Sequence, residues 1–338
     1  MLSRIAHELF WLGRDLTRGE HTARMLDGAF HADVAGSSGG QAIALSWDAV
    51  LAIIGAKTPA PPEGAVDSAP HLESSLSVAV QDDGEAAELP QTRTGIARLL
   101  SLDLESPASI TSCVSRARER GHTLRDVIST EMWEALNGFH LSLADHDTAT
   151  LLQTGPYSFY QEVKARCALF WGVTDRTMLR DESRAFLEAG RRVEEADMVL
   201  RMLRVAVPPE SADGPHASEA VALLHAVGGA QAFRRATRST PTVTAVVCFL
   251  LYDSSYPASV AAAVGALRDA LLIADLQPRV SPPVLRLERL VAELELQRRT
   301  PGTPSGLDKT LERVQEELAL IDADIGDRYF ALALAAMG

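Results

Sequence analysis

The chain has 338 residues, of which 46% are hydrophobic and 23% are charged, so it can bury a sizeable core and general disorder is excluded. Its formal net charge of −13 repels phosphate backbones, and its arginines are mixed with acids, which excludes an extended nucleic-acid surface. The composition therefore predicts a globular protein without a nucleic-acid partner.

Helix-forming residues dominate the sequence and strict period-2 alternation is nowhere sustained, so an all-α fold is predicted. A first helix is predicted over residues 3–29 with Ser3 as its N-cap, followed by a Gly- and Ser-rich loop over 31–40. A second helix is predicted over Trp47–Ile54, and Gly55 is predicted to end it.

Proline-rich segments divide the rest of the chain. Residues 58–70 are predicted to form an exposed linker, and a helical pattern then runs from about residue 92 to 207 with a short break at 154–156. A second loop is predicted over 208–215. Further helices are predicted from Glu219, after Pro257, after Pro283 and from Leu307 to near the C-terminus.

The chain contains an internal repeat. The stretch GRDLTRGEHTARML over 13–26 returns as GRRVEEADMVLRML over 190–203, with Gly, Arg, an aliphatic residue, an acid, an Arg and Met-Leu at identical offsets. A second similarity joins LSLDLESPASI over 100–110 with LYDSSYPASV over 251–260, and each copy is predicted to open a helix. Because the two similarities occur in the same order, we predict a multi-helix bundle of two pseudo-symmetric duplicated halves. The approximate bounds of these halves are residues 1–150 and 157–338, within one domain that spans 1–338.

The repeated acids Glu20 and Asp197 fall on the apolar stripes of their helices, which should face the core. A buried carboxylate needs a cation or hydrogen-bond donors, and Arg24 and Arg201 lie four residues further on, within reach along the helix. Two interpretations stay open. In one, the pairs are buried ion pairs that fix how the halves dock, and in the other they line a polar cleft for a charged ligand or a partner's peptide.

Two other pairs of repeated residues predict contacts between helices. Gly13 and Gly190 stand in mid-helix, where glycine costs about 1 kcal/mol relative to alanine, so a close approach of two helices is predicted there. Arg14 and Arg191, the next residues along the chain, are aimed at neighbouring helices.

Four stretches of the chain carry a resemblance to a known family. The opening MLSRIAHELFWLGRDLTRGEHTARMLD is similar to the signature start of the alpha-E family, a bacterial group long catalogued as a domain of unknown function. The stretches SPASITSCVSRARERGHTLRDVISTEMWEALN, FWGVTDRTMLRDESRAFLEAGRRVEEADMVLRML and LLYDSSYPASV resemble this family too, in the family's order and over essentially the whole chain. The resemblance implies an all-α fold.

The resemblance also implies partners. Members of the family typically lie beside, or are fused to, a circularly permuted ATP-grasp amide ligase. A transglutaminase-like cysteine peptidase, and sometimes a proteasome-like peptidase, are further neighbours. By resemblance, this protein serves a peptide-synthesis or protein-tagging system in which its own chemistry is not assigned.

The residues that match the family's motifs fall in three groups. They are Arg14, Glu20 and Arg24 in the first motif; Arg118, Arg125, Glu131, Trp133 and Asn137 in the central one; and Arg191, Glu194, Asp197 and Arg201 in the last. The chain departs from the pattern at Thr17, where the family usually has Glu, at Glu195, where it usually has Arg, and at His21, which is more often Asn. These departures argue against a site role for Thr17 or Glu195.

Signatures of common chemistries are weak in the sequence. It has no G-x-x-x-x-G-K-[ST] and no strand-linked G-x-G-x-x-G, so ATP binding is not predicted. Its G-x-S-x-G match, GSSGG over 36–40, falls in the Gly- and Ser-rich stretch predicted as a loop, so serine-hydrolase chemistry is not predicted either. Three cysteines without C-x-x-C spacing argue against a disulfide framework or a zinc site, and no cofactor is predicted. The best anion contact is Arg118 with Arg125, two turns apart on one helix face.

The N-terminus is amphipathic and charged rather than a signal peptide, and the longest apolar runs are too short to cross about 30 Å of hydrocarbon. A cytoplasmic location without a membrane partner is therefore predicted.

Three functions are compatible with these patterns. The leading prediction is a non-catalytic helical partner of an ATP-grasp ligase, in which the acids and arginines of the repeat organise a polar groove for the ligase or its peptide substrate. The alternative is an independent enzyme that uses Glu20 and Asp197 as general acid and base, with pKa values raised by burial, in an open pocket between the two motif helices. A third is a homo-oligomeric scaffold with a large exposed apolar patch.

Overall fold

The computed structural model describes residues 2–36, 47–55, 93–144, 146, 157–206, 217–238, 240–299 and 306–331. Every regular element in these ranges is helical, which confirms the predicted all-α class. The α-helices are α1 (Ser3–Gly36), α2 (Trp47–Ile54), α3 (Arg93–Ser101), α4 (Ile110–Thr123), α5 (Thr130–Ala144), α6 (Tyr157–Thr177), α7 (Glu182–Ala206), α8 (Ala217–Ala226), α9 (Ala230–Thr237), α10 (Val243–Tyr252), α11 (Val260–Ala274), α12 (Pro282–Arg299) and α13 (Leu307–Ile325). A 3₁₀ turn lies at Pro278–Val280 and a π-helical turn at Gly326–Phe330.

Helices α1 and α7 form the centre of the bundle and cross where the repeated glycines meet. A Cβ atom on Gly13 would overlap the carbonyl oxygen of Leu187, and one on Gly190 would overlap the carbonyl oxygen of Phe10. Each glycine therefore lets the backbones of the two helices touch, and this contact offsets the low helix propensity of glycine. The predicted close approach at both glycines is confirmed.

The neighbours of α1 and the neighbours of α7 are arranged in a similar way. Helices α4 and α6 pack on α1, and α5 packs on both of them. Helices α11 and α13 pack on α7, and α12 packs on both of these. The shorter helices α2 and α8 each contact α1 and α7. Each central helix thus carries two helices, and a third helix, which lies between those two in the chain, packs on both of them.

Helices α4 and α11 both begin directly after the sequence Pro-Ala-Ser. The Oγ atoms of Ser109 and Ser259 act as N-caps and accept hydrogen bonds from the backbone N–H groups of Ser112 (3.1 Å) and Ala262 (3.0 Å). Each cap satisfies a backbone donor that the helix leaves unpaired at its start. The prediction that both copies open a helix is therefore confirmed, with the serine as the capping residue.

Helix α1 differs from its prediction at both ends. It extends to Gly36, so part of the stretch predicted as a loop is helical, because the residues HADVA over 31–35 contain no proline or glycine that would end the helix. The prediction of Ser3 as N-cap is wrong. Ser3 is the first helical residue, and its Oγ donates a hydrogen bond to the carbonyl oxygen of Tyr329 at 2.7 Å.

Helix α2 occupies its predicted range, and Gly55, with a φ of +71°, ends it as predicted. The predicted linker at 58–70, the break at 154–156 and the loop at 208–215 lie outside the described residues. None of the described helices combines the length and the apolarity that a membrane crossing requires.

Candidate functional site

Glu194 on α7 is fully buried and is bound by two arginines from α1. Its carboxylate accepts hydrogen bonds from Arg14 Nε at 3.0 Å, from Arg18 Nε at 2.6 Å and from Arg18 Nη2 at 2.9 Å. Burial alone would raise the pKa of Glu194, but Arg18 and Arg14 outweigh it and hold this pKa below its ordinary value. The three groups therefore form a charged cluster that joins the two central helices next to the glycine crossing.

Arg14 extends this cluster to a third helix. Its Nη1 donates to the carboxylate of Asp322 on α13, at 2.7 Å from Oδ2, and its guanidinium lies 4.8 Å from the ring centre of Trp11. The side chain of Arg14 is nearly buried, so the positions of both carboxylates and of the indole are fixed around it. Arg14 thus ties α1 to α7 and to α13.

The repeated acids Glu20 and Asp197 are each bound by the arginine four residues further on. Arg24 Nη2 lies 2.7 Å from Glu20 Oε1, and Arg201 Nη2 lies 2.8 Å from Asp197 Oδ2. All four side chains are at least partly shielded from solvent. The acids are therefore occupied by ion pairs along their own helices.

Both of these arginines also lie at the C-terminal end of another helix. Arg24 Nη1 lies against Gly228, just after α8, and Arg201 Nη1 donates a long hydrogen bond of 3.5 Å to the carbonyl oxygen of Ile53 in α2. A cation is favourable at a helix C-terminus because unpaired carbonyl groups and the helix dipole carry partial negative charge there. The arrangement matches the interpretation in which the pairs dock helices together.

Arg118 and Arg125 lie over the same indole. Their guanidinium carbons are 5.7 Å and 5.3 Å from the ring centre of Trp133, and Arg118 Nε donates to Asn137 Oδ1 at 3.0 Å. Within the described ranges neither guanidinium forms an ion pair with a carboxylate. The four residues, all from the central motif, make a cationic and aromatic surface on α4, α5 and the turn between them, which we name the Trp133 surface.

Arg191 is the last of the predicted binding arginines. Its guanidinium lies 4.4 Å from the ring centre of Trp171 on α6, and its Nη1 is 3.8 Å from Glu188 Oε2. It is half-buried and does not reach the cluster around Glu194. The structure therefore separates the predicted binding residues into a central cluster, two helix-end pairs, the Trp133 surface and this stacked pair.

A cavity of about 430 Å³ lies beside the central cluster. It is lined by His7, Phe10, Trp11, Arg14, Asp15, Arg18, Pro107, Arg116, Arg120, Asp322, Gly326 and Phe330. Neither Glu20 nor Asp197 lines this cavity or the second described one, beside α6. Of the predicted site residues, Arg14 alone borders the larger cavity.

Sequence reasoning missed the arginines that α4 contributes to this cavity. Arg116 Nε and Arg120 Nε donate to the two oxygens of the buried Asp15 at 2.9 Å and 3.0 Å, and Arg120 Nη1 donates to Glu8 at 2.8 Å. The spacing of four residues between Arg116 and Arg120 was the available signal, because it puts both on one helix face. Arg118, which was predicted together with Arg125 as an anion contact, lies on the opposite face of α4. The predicted contact therefore pointed away from the cavity.

The thiols are unsuited to nucleophilic chemistry. Burial raises the pKa of Cys113 to about 12, and it also raises the pKa values of Cys167 and Cys248. Among the described residues, no group of three His, Cys, Asp or Glu side chains is placed to hold a metal ion.

The pair between Arg18 and Glu194 connects the two copies of the repeat. At equivalent positions the two copies read Thr17-Arg18 and Glu194-Glu195, so Arg18 corresponds to Glu195 in the repeat and Glu194 corresponds to Thr17. Thr17 Oγ1 donates instead to the carbonyl oxygen of Gly13 at 2.8 Å, and Glu195 accepts from Arg192 at 2.7 Å. The ion pair between Arg18 and Glu194 therefore has no counterpart between Thr17 and Glu195, and these two residues are satisfied locally.

The comparison with known proteins identifies a family. Residues 1–330 match the family Alpha-E, which is described as a predicted alpha-helical domain with a conserved ER motif. No curated protein and no solved structure matches the chain. Because the family match covers nearly the whole sequence, the chain belongs to the Alpha-E family, and the helical character of every described regular element agrees with this.

Proposed function

We propose that this protein is a non-catalytic helical partner of an ATP-grasp amide ligase in a peptide-synthesis or protein-tagging system, with a cytoplasmic location. The observation that supports a binding role is the state of the repeated acids. Glu20 and Asp197 are each engaged by an arginine, and neither lines a described cavity. The class of partner follows from the family resemblance, which also suggests a transglutaminase-like peptidase as a second partner.

The Trp133 surface is the part of the molecule best suited to contact the ligase. In the part of the chain that the structure describes, the guanidinium groups of Arg118 and Arg125 have no acidic partner, although the formal net charge of the protein is −13. Tryptophan and arginine are the residues that most often dominate the binding energy of protein interfaces. An acidic patch on the ligase would therefore pair with this surface without displacing an existing ion pair.

The alternative function, an independent enzyme, requires Glu20 and Asp197 to act as acid and base. For that role both carboxylates would have to open to one pocket and lose the arginines that now bind them. The ion pairs of 2.7 Å and 2.8 Å oppose this, since removing one partner of a shielded pair is unfavourable. The alternative is for this reason ranked second.

We also propose that the two halves, about 1–150 and about 157–338, arose by duplication. Four observations support this: the glycine contacts, the Pro-Ala-Ser caps, the ion pairs four residues apart, and the matching neighbours of α1 and α7. Gly13 lies against Leu187, which is three residues before Gly190. In the same way, Gly190 lies against Phe10, which is three residues before Gly13. Such reciprocal contacts are the mark of a two-fold relation.

The proposed partnership can be tested by co-expressing the chain with the circularly permuted ATP-grasp protein from its own genome. We expect the two to co-elute in size-exclusion chromatography. The double variant Arg118→Glu with Arg125→Glu should abolish co-elution, and Arg234→Glu with Arg235→Glu, an exposed pair on α9, should not. An unchanged melting temperature for both variants would show that they are folded.

Two separate peaks for the unmodified proteins at micromolar concentrations would contradict an obligate partnership. If the complex forms but Glu20→Gln with Asp197→Asn abolishes product formation while co-elution persists, the enzyme alternative would be supported instead. The elution volume of the chain alone tests the third prediction, a homo-oligomeric scaffold.

A further inference from the structure

The cavity beside the central cluster has the form of a small-ligand site. Its apolar lining comes from Phe10, Trp11 and Phe330, with the Phe10 ring centre 6.2 Å from that of Trp11 and 5.2 Å from that of Phe330. Cavities of roughly 300–1,000 Å³ with an apolar lining and a few fixed polar groups are typical places for small ligands. The residues of the Trp133 surface do not line it, so the two sites are distinct.

The polar groups at this cavity are arginines that carboxylates already hold in place. Arg14 uses Nε and Nη1, Arg18 uses Nε and Nη2, and Arg120 uses Nε and Nη1 in hydrogen bonds to acids. No hydrogen bond within the described part of the chain uses Nη2 of Arg14, Nη1 of Arg18 or Nη2 of Arg120. None of these three nitrogens is among the buried atoms that lack a partner, so solvent reaches them.

Such preordered donors lower the cost of binding. A ligand that accepts hydrogen bonds from these three nitrogens does not have to immobilise the long arginine side chains, because the acids have done so. The planar guanidinium group matches a carboxylate in geometry and in charge. An acceptor with one negative charge that lies over the aromatic lining would thus use both parts of the cavity.

The charges at the cavity favour a carboxylate over a phosphate as the ligand. The arginines that line it and the acids that contact these arginines are equal in number. They are Arg14, Arg18, Arg116 and Arg120 on one side and Glu8, Asp15, Glu194 and Asp322 on the other. Because the site is close to neutral, a carboxylate adds one negative charge near Asp15 and Asp322 and a phosphate dianion adds two, so repulsion disfavours the phosphate more strongly.

We propose that this cavity binds the free carboxylate of a small ligand with an apolar or aromatic body, such as the C-terminal residue of a peptide. The binding itself follows from the cavity and from its arginines. That this protein then presents the carboxylate to an amide ligase rests on the proposed function. The ligand is bound and released unchanged by this chain.

A titration followed by NMR tests the proposal. The probe is N-acetylphenylalanine, compared with N-acetylphenylalanine amide, which lacks the charge, and with phenyl phosphate, which carries a second one. The indole N–H resonance of Trp11 should shift on addition of the carboxylate, while those of Trp47, Trp133 and Trp171, which do not line the cavity, stay in place. We expect both comparison compounds to bind at least about tenfold more weakly, the loss expected for charge-assisted hydrogen bonds.

Two variants with matched controls locate the site. Gly326 lines the cavity in a helical conformation, and a Cβ atom there meets no other atom within 4 Å, so Gly326→Leu should fill the cavity without strain. Its control is Gly265→Leu on α11, where a Cβ atom is equally unobstructed. Arg120→Gln removes one donor, and its control is Arg286→Gln, which also contacts two carboxylates but lies outside the cavity lining.

Gly326→Leu and Arg120→Gln should each weaken binding by about tenfold or more, and both controls should bind as the unmodified protein does. The proposal would be overturned by equal binding of the carboxylate and the amide, by the absence of any shift at Trp11, or by unchanged binding in Gly326→Leu. Tighter binding of phenyl phosphate would overturn the choice of a carboxylate. If these tests fail while the ligase still co-elutes, the proposed function stands and the ligand site alone is rejected.

Discussion

Among the residues of the site, Glu194 is the one whose charge depends most on its ion pairs. It has no solvent exposure, and it lies between two cations of α1 that would otherwise be close to each other without compensation. The second carboxylate on Arg14, from Asp322, brings the local sum of charges back to zero. This local neutrality explains how a cluster of four charged groups is tolerated next to a close-packed helix crossing.

The substitution Glu194→Gln should destabilise the protein by about 3 kcal/mol or more, because Arg18 and Arg14 would keep their charges without the buried acid. Urea unfolding followed by circular dichroism measures this loss. Glu295→Gln is the matched control, since Glu295 pairs with two arginines at the surface of α12 and should have no measurable effect. Equal effects of the two substitutions would show that the cluster contributes nothing specific.

His21 makes the stability depend on pH. Burial lowers its pKa from 6.5, and its Nδ1 has no hydrogen-bond partner within the described residues. The charged groups around it are Glu20 and Arg24 on α1 and Glu194 and Glu195 on α7. Because the folded state resists protonation more than the unfolded state, the contribution of neutral His21 is fully present above pH 6.5 and falls as the pH drops below it.

As the pH falls below 6.5, the variant His21→Asn should therefore lose less stability than the unmodified protein. The difference between the two free energies of unfolding should grow by at most about 1.4 kcal/mol per pH unit. Free energies of unfolding at several pH values measure the difference. His122→Asn, at an exposed position, is the matched control for replacing a histidine by asparagine. A slope that is identical in His21→Asn would mean that this histidine does not titrate with unfolding.

The crossing of the helices α1 and α7 depends on the absence of side chains at Gly13 and Gly190. We expect Gly13→Ala and Gly190→Ala each to destabilise the protein by about 1–3 kcal/mol, because the backbones must separate to admit a methyl group. Gly265→Ala on α11 is the control, since a Cβ atom there is unobstructed and alanine has the higher helix propensity by about 1 kcal/mol. Thermal unfolding compares the three. Stabilisation by Gly13→Ala would contradict the close contact.

The elements were predictable where the signal is local. Glycine has special backbone properties, and a sequence displays its positions directly. These properties predict the end of α2 at Gly55 and the close approach of the two helices at Gly13 and at Gly190. The pairs of Glu20 with Arg24 and of Asp197 with Arg201 follow from helical spacing in the same way.

The cavity was not predictable because its residues meet only after helices pack. Its lining joins His7 in α1, Arg120 in α4 and Asp322 in α13, which are separated by more than a hundred residues at each step. Nothing in the spacing within one helix states which neighbour an arginine will reach. Arg118 and Arg120 show this, since they are only two residues apart in α4, yet one guanidinium lies over Trp133 and the other binds Asp15.

For the molecule as a whole, the central position of α1 and α7 predicts cooperative unfolding. Each of these helices packs on the other and on its own set of neighbours, so neither set keeps its core if the crossing opens. We expect unfolding transitions followed by circular dichroism and by tryptophan fluorescence to coincide. Two resolved transitions would show instead that the two sets of helices are stable separately.

The ion pair between Arg18 and Glu194 has a consequence for the choice of helix partner. The cations of this crossing, Arg14 and Arg18, all lie on α1, and its central anion lies on α7. If two copies of α7 from different molecules met at their glycines, each Glu194 would lie against Arg191 and Glu195 in place of Arg14 and Arg18, and two copies of α1 would bring four guanidinium groups together. At a crossing whose shape suits either helix, charge thus favours the heterotypic pair, and we expect it to disfavour homotypic, intermolecular association while the chain folds.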